Sequence, residues 1–422
     1  MKKNIYLILM MVMLVAVAIN PLSFAAPVEI RYTRWAGAEE AKDFQALVNE
    51  FNKKNLGIKV NTEFLPWGAY WQKIQTTLIA ANAADIISLN AGEAVKYINK
   101  GVFYDLSKLD GAKERLAQMS KNAQKMVSYN GQIVGMPVGI GLRVLIYNKA
   151  MFDAAGVPYL DPEKPLTWEQ FKAVGKKLTK MENGQVTQYA FQAESGELHK
   201  ILISQAGGSI IDNIGAPKKV MINSPEAISA LKYMKSLYDE NIMPPYKDVV
   251  GPWGNQDNAI VTGKVAMMYS GPWSLGAVIE KGMKYGTAPM FMGKERATVG
   301  YVNFNAIAKN SKRPKEAWVF LEWLSSKEGQ IRFAQTGDLP ANMLALEGVK
   351  KNPSKYNTEI MNAYYEDLPN IDMGPMVPDA RFYGECDNYW RDFLDGKLTA
   401  EQAVAGYAKA GQPILDEINK KK

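Results

Sequence analysis

The sequence predicts an α/β protein of more than one domain, and three observations lead there. Short apolar strands alternate with amphipathic helices through the first third of the chain, the pattern of a parallel sheet with right-handed crossovers. About 400 residues remain once the first 25 are set aside, enough for two or three domains. No low-complexity stretch separates those domains, so the chain is expected to cross between them more than once.

The elements follow in order. Residues 28–35 alternate as a strand and end at Trp35-Ala36-Gly37. Residues 39–53 predict a helix, because Phe44, Leu47, Val48 and Phe51 recur at i, i+3, i+4 and i+7 on one face. A second strand is expected over 58–65, followed by the loop Pro66-Trp67-Gly68-Ala69-Tyr70-Trp71, and a third over 84–89, ending at Asn90-Ala91-Gly92. Tyr129-Asn130-Gly131 is a turn signal ahead of a strand over 143–147. Thr167-Trp168-Glu169-Gln170 reads as a capping box, as does Thr399 to Gln402, and Ser224-Pro225-Glu226 places proline at a first helical position. Residues 314–326 are strongly helical, and Trp168, Trp318 and Trp323 fall at core spacing on their helices.

Composition narrows the chemistry. Lys2 and Lys3, the apolar run from Ile5 to Ile19 and the small residues around Ala25 form a secretory leader, with cleavage expected after Ala25. No cysteine stands at the cleavage site itself, so the mature chain is expected to be exported without a lipid anchor, and the apolar run is too short for a comfortable membrane span. Loss of Lys2 and Lys3 takes the net charge from +7 to +5, with basic residues scattered among acidic ones, which argues against a nucleic-acid groove. One histidine, His199, and one cysteine, Cys386, almost exclude the usual zinc or iron ligand sets, and no cofactor motif is present.

The most informative stretch is Val261-Thr262-Gly263-Lys264 followed by Val265-Ala266-Met267-Met268-Tyr269-Ser270-Gly271-Pro272-Trp273. A turn at Gly263-Lys264 leads into an apolar strand, and Gly271-Pro272 puts Trp273 on the loop just past its end. In open α/β sheets that edge is where ligands bind. A flat ring beside a glycine suits a ligand with an apolar face; the competing reading is a core tryptophan.

Several segments taken together resemble the extracellular solute-binding proteins of ABC importers, in the sugar-binding branch that includes the maltose- and glycerol-phosphate-binding proteins. They are Phe51 to Val60 with Ala83-Ala84-Asp85-Ile86, Gly135-Met136-Pro137 with Leu145-Ile146-Tyr147-Asn148-Lys149, Pro165 to Glu169, Gln205-Ala206-Gly207-Gly208, Gly263 to Met267 with Gly271-Pro272-Trp273, Ser311 to Trp318, and Leu339-Pro340-Ala341. Ala84 departs from the proline common before that aspartate. The resemblance implies a two-lobed periplasmic binding-protein fold of class II type. Its two discontinuous α/β domains would cover 26–137 plus 297–340 and 138–296 plus 341–422, joined by hinge strands near 138–141 and 298–303. It further implies a soluble, monomeric periplasmic protein that catalyses nothing. Such a protein would close around a small-molecule sugar and deliver it to the membrane permease.

A sugar needs flat rings for its C–H faces and planar polar groups for its rim. The expected ligand-binding set is Trp35, Trp67, Asn90, Arg143, Trp253, Trp273, Arg381 and Tyr383. In the 66–71 loop Trp67 is the expected contact, while Tyr70 or Trp71 packs inward. Asn90 also reads as a turn residue, and Glu40 as a helix-start acid. Glu194, Ser195 and Glu197 are candidates for the second lobe's wall. Asp379 and Arg381 form either a structural ion pair or a clamp on a hydroxyl pair. A non-sugar solute, such as glycerol-phosphate or a polyamine, is the alternative ligand, and an exported glycosidase the alternative class.

Overall fold

The computed structural model describes residues 26–420 apart from 55–56, 99, 130, 194, 215–216, 246–255, 337, 352–357, 373 and 375–376. The leader, Trp253 and Glu194 therefore lie outside the described residues.

The first sheet begins with β1 (Val28–Trp35), β2 (Ile58–Leu65) and β3 (Ile86–Asn90), all parallel, with β1 in the middle. Alternation in β1 buries Ile30, Tyr32 and Arg34 on one side and leaves Glu29 and Arg31 at the surface. The helix Ala38–Lys54 covers this sheet through the stripe read from the sequence: Phe44, Leu47, Val48 and Phe51 are all buried. A hairpin of β4 (Ser128–Tyr129) and β5 (Gln132–Ile133) precedes β6 (Met136–Leu142), which leads directly into β7 (Val144–Asn148).

With β7 the chain enters a second sheet. Its other strands are β8 (Lys180–Glu182), β9 (Gln185–Gln192), β10 (Val265–Ser270) and β11 (Tyr285–Ala288), in the order β11-β7-β10-β9-β8. Stacked rings of Phe171 and Phe291, 3.9 Å apart between centroids, fill its core with Phe191 set edge-on. The expected caps form: Thr167 and Gln170 make a reciprocal capping box, Ser224 caps the helix Pro225–Asp239, and Thr399 and Gln402 exchange hydrogen bonds.

The ten-residue strand β12 (Thr298–Ile307) then returns to the first sheet, where it pairs antiparallel with β3 and β6, and β13 (Ile371–Asp372) joins its edge. Both sheets are thus mixed rather than wholly parallel. The returning strand comes from a distant part of the chain, and local alternation of strand and helix carries no sign of it. Where β6 and β12 pass between the sheets they pair with each other, Ile140 opposite Val302 and Gly141 opposite Tyr301. The segment after residue 340 stays with the first sheet longer than expected. Ala341 accepts from the Ser120 N–H, Asn342 is hydrogen-bonded to Gln330 and Ser325, and the helix Met343–Lys351 packs Gly348 against Ile331. The last two helices, Ala380–Leu394 and Ala400–Lys420, pack with the second sheet's core through Phe382, Cys386, Trp390 and Tyr407. Among the described residues no helix is long and apolar enough to cross a membrane.

Candidate functional site

Two tryptophans stand exposed at strand or helix edges. Trp273 follows β10 and is 49% exposed; Trp67 opens the helix Trp67–Ile79 and is 48% exposed. Exposure on this scale removes the core reading for both, since packing leaves their rings open to water.

Trp273 is seated by glycine. Its ring lies over Gly271, where a β-carbon would come within 2.2 Å of it, and the ring edge approaches Gly141 of β6. The guanidinium of Arg143 stands 5.5 Å from the ring centroid. Arg143 is itself paired with Glu197 at 2.8 Å, and the other oxygen of Glu197 accepts from the Tyr301 hydroxyl at 2.7 Å. Both charged side chains are largely enclosed, so the pairing offsets the cost of removing them from water. Glu197 thereby ties the helix Ser195–Gln205 to the crossing strand β12.

The floor is built from the crossing strands. Asn303 of β12 donates to Asp338 at 2.8 Å and accepts from Asn90 at 3.1 Å. Asn90 also accepts from the Gly92 N–H at 3.0 Å, so its amide is engaged at both ends and fixes the floor and the next helix start. Burial raises the Asp338 carboxyl above the usual range, while the Arg34 charge and the Asn303 hydrogen bond draw it back.

The first lobe's wall is aromatic. Trp35 meets Trp67 edge-on at 5.2 Å, Tyr70 at 5.5 Å, and stacks on Trp71 at 5.8 Å. The segment expected as a loop over 66–71 is instead the first turn of the helix Trp67–Ile79, with Tyr70 fully buried and donating to the Ser88 carbonyl and Trp71 half-buried against Trp35. Under this cluster Arg34 is 1% exposed, its guanidinium 3.9 Å from the Phe44 ring centroid and 3.7 Å from a Glu40 oxygen. Burial pushes the Glu40 carboxyl up; Arg34 opposes the shift and Asp338 adds to it.

Two expected residues lie apart from this line. Tyr383 is half-buried at the start of its helix, its hydroxyl accepting from the Val377 N–H, with Lys200 5.6 Å from its ring. Burial raises its hydroxyl pKa, the hydrogen bond from the Val377 N–H opposes the shift, and the charges of Asp387 and Glu93 add to it. Arg381 is exposed and bound to Asp379 through two nitrogens and to Glu417 at 2.8 Å. Of the two readings of this pair the structure has the ion pair, and it joins none of the cleft residues above.

Sequence reading missed Arg34, Asp338, Asn303 and Tyr301. Arg34 was findable, because it shares the inward side of β1 with Ile30 and Tyr32, and a charge there is exceptional. Asp338 precedes Leu339-Pro340 with nothing local to mark it. Asn303 and Tyr301 became visible only with the pairing of β6 and β12.

A family model described as bacterial extracellular solute-binding protein matches residues 46–358. An ABC substrate-binding protein from Listeria monocytogenes, solved in complex with cycloalternan, superposes with a TM-score of 0.77 and 25% identity, covering 94% of this chain and 99% of that one. A solute-binding protein of an ABC transporter from Thermotoga lettingae, bound to α-D-tagatose, gives 0.76 at 22% identity over 92% and 100% of the two chains. The galactooligosaccharide-binding protein of Bacillus subtilis is 21% identical over 385 residues, 88% of this chain and 86% of that protein. The two-lobed fold implied by the sequence segments is the fold these structures share with this chain. With the family match spanning most of its length, the chain belongs to the bacterial extracellular solute-binding protein family, whose members capture a solute rather than transform it.

Proposed function

We propose that this chain is the substrate-binding component of an ABC importer and that its ligand is a neutral sugar of one to a few rings. The observation that carries the reading is the pair of open tryptophans, Trp67 on one lobe and Trp273 on the other, each about half exposed. Indole faces suit the C–H faces of a sugar, and the polar floor between them suits its hydroxyls. Relatives whose own ligands are cycloalternan and galactooligosaccharide support the same class. The ligand-facing set is then Trp67, Trp273 and Arg143, with Trp35 holding the first wall, Asn90 the floor and Tyr383 at the rim.

Charge balance favours a neutral ligand. Arg143 is paired with Glu197, and Arg34 lies between Glu40 and Asp338. A glycerol-phosphate would need cationic donors without such partners, and a polyamine would need carboxylates without them. A ligand touching both lobes stabilises the closed form through its contacts with each wall, bending the crossing strands β6 and β12. The closed protein then docks on a membrane permease outside the cytoplasm, as a soluble monomer released from its leader.

A melting-temperature screen of the mature chain tests this. Ligand at about a hundred times its Kd stabilises by roughly 2.7 kcal/mol, a visible shift. A shift with maltotriose, galactobiose, N,N′-diacetylchitobiose or tagatose, with the sugar recovered intact, is the expected result. A shift confined to glycerol-3-phosphate or spermidine overturns the sugar assignment, and cleavage of the sugar overturns the transport role.

A further inference from the structure

Three chemically different groups converge on the space above one glycine. A β-carbon on Gly141 would stand 3.3 Å from Cζ3 of Trp273, 3.6 Å from the Asn303 amide nitrogen and 3.8 Å from Oδ1 of Asp338. Because residue 141 has no side chain, that space is left open between a ring edge, an amide and a carboxylate. Gly139 does the same service one pleat away: a β-carbon there would lie 3.0 Å from Cβ of Asp338 and 2.7 Å from the Phe333 ring. The two glycines let Asp338 press against β6 at the point where the strand passes between the lobes.

The carboxylate is aimed. Its Oδ2 accepts from Asn303 at 2.8 Å, and Asn303 is held in turn by Asn90, so the remaining oxygen is the one directed to the space above Gly141. Asp338 as a residue is half-buried, whereas Arg34 is buried outright. A sugar ring stacked on Trp273 has its rim hydroxyls at this edge.

We propose that Asp338 is the specificity-determining acceptor of the cleft: its Oδ1 takes one hydroxyl of the sugar ring that lies against Trp273 above Gly141. This rests on the sugar reading given above. A ring lacking that hydroxyl, or holding it in the other configuration, strips water from the carboxylate and returns no hydrogen bond, which is how a polar site rejects a near-identical ligand.

The test is isothermal titration calorimetry on the full mature chain with maltotriose, galactobiose, N,N′-diacetylchitobiose and tagatose, followed by monodeoxy forms of the tightest probe. Asp338→Asn and Asp338→Ala are expected to weaken that probe at least tenfold in protein that still unfolds in one cooperative transition. One deoxy position should cost the wild type about as much and cost Asp338→Asn nothing further. Wild-type binding with unchanged affinity in both variants overturns the role of Asp338 and leaves the sugar reading intact, as do deoxy losses of equal size in wild type and variant. Failure of the wild type to bind any saccharide overturns both. Should the Asp338 variants not fold, Gly141→Ala fills the space without touching the charge: a tenfold loss supports the proposal, and normal affinity overturns it.

Discussion

Glu197 holds Arg143 at 2.8 Å, and the same guanidinium stands 5.5 Å from the centroid of the Trp273 ring. One carboxylate thus fixes the cation, and the cation borders the ring. Glu197→Gln keeps the shape but removes the charge that compensates a largely enclosed arginine. The expected outcome is about a tenfold weaker Kd for whichever sugar gives the largest melting shift. In a Trp273→Ala background the same change should cost much less, because residues acting through one another are not additive. Additive losses in that double-mutant cycle would mean that Glu197 does not act through the ring.

Trp273 and Trp318 make opposite predictions from the same residue type. Trp273 is 49% exposed, so Trp273→Ala should abolish most of the affinity and leave the unliganded unfolding transition nearly unchanged. Trp318 is 5% exposed and donates from its indole nitrogen to the Asp110 carbonyl at 2.9 Å. Trp318→Ala should lower stability by roughly 3–5 kcal/mol, the loss expected on emptying a large core position. Urea unfolding followed by titration of the folded fraction separates the two; a Trp273 variant that binds normally would remove it from the site.

The sequence carried the locally determined parts. Thr167, Ser224 and Thr399 mark helix starts because a cap involves residues three apart, and the stripe Phe44, Leu47, Val48 and Phe51 marks a buried face because helical periodicity does the same over two turns. Trp67 and Trp273 were legible as ligand-facing candidates because glycine and proline beside them break the regular structure. The mixed sheets were not legible, since the partner that pairs Asn90 with Asn303 lies 213 residues away. The same holds for the floor, where Gly141, Asn303 and Asp338 have meaning only once three remote segments meet. Arg381 shows the converse failure: a charged residue near the chain's end looked available, and two carboxylates already held it.

That arrangement makes Arg381 a useful control. Its guanidinium is at the surface between Asp379 and Glu417, where water screens both pairs. Arg381→Ala should therefore leave sugar affinity within twofold of wild type and move the melting temperature little. A loss of affinity approaching that of Trp273→Ala would return Arg381 to the binding site.

Asp367 predicts how stability depends on pH. It closes the helix Thr358–Asp367, is 2% exposed, accepts from the Met290 N–H at 2.7 Å and pairs with Arg296 at 3.0 Å. Burial nevertheless pushes its carboxyl up to about 6, the two hydrogen bonds and the arginine offsetting only part of the desolvation. An unfolded aspartate titrates near 3.9, so between these values the folded chain binds the proton more tightly than the unfolded one. Stability from this group is fully present below about pH 4 and is lost as pH rises through about 6, a change of roughly 3 kcal/mol. Asp367→Asn cannot titrate and keeps an acceptor for the Met290 N–H. The stability of the wild type relative to that variant should therefore fall across pH 4 to 6 and level off above 7, as read from urea midpoints at each pH. A difference that stays constant, or grows with pH, would mean that the hydrogen bonds and Arg296 outweigh burial at this site.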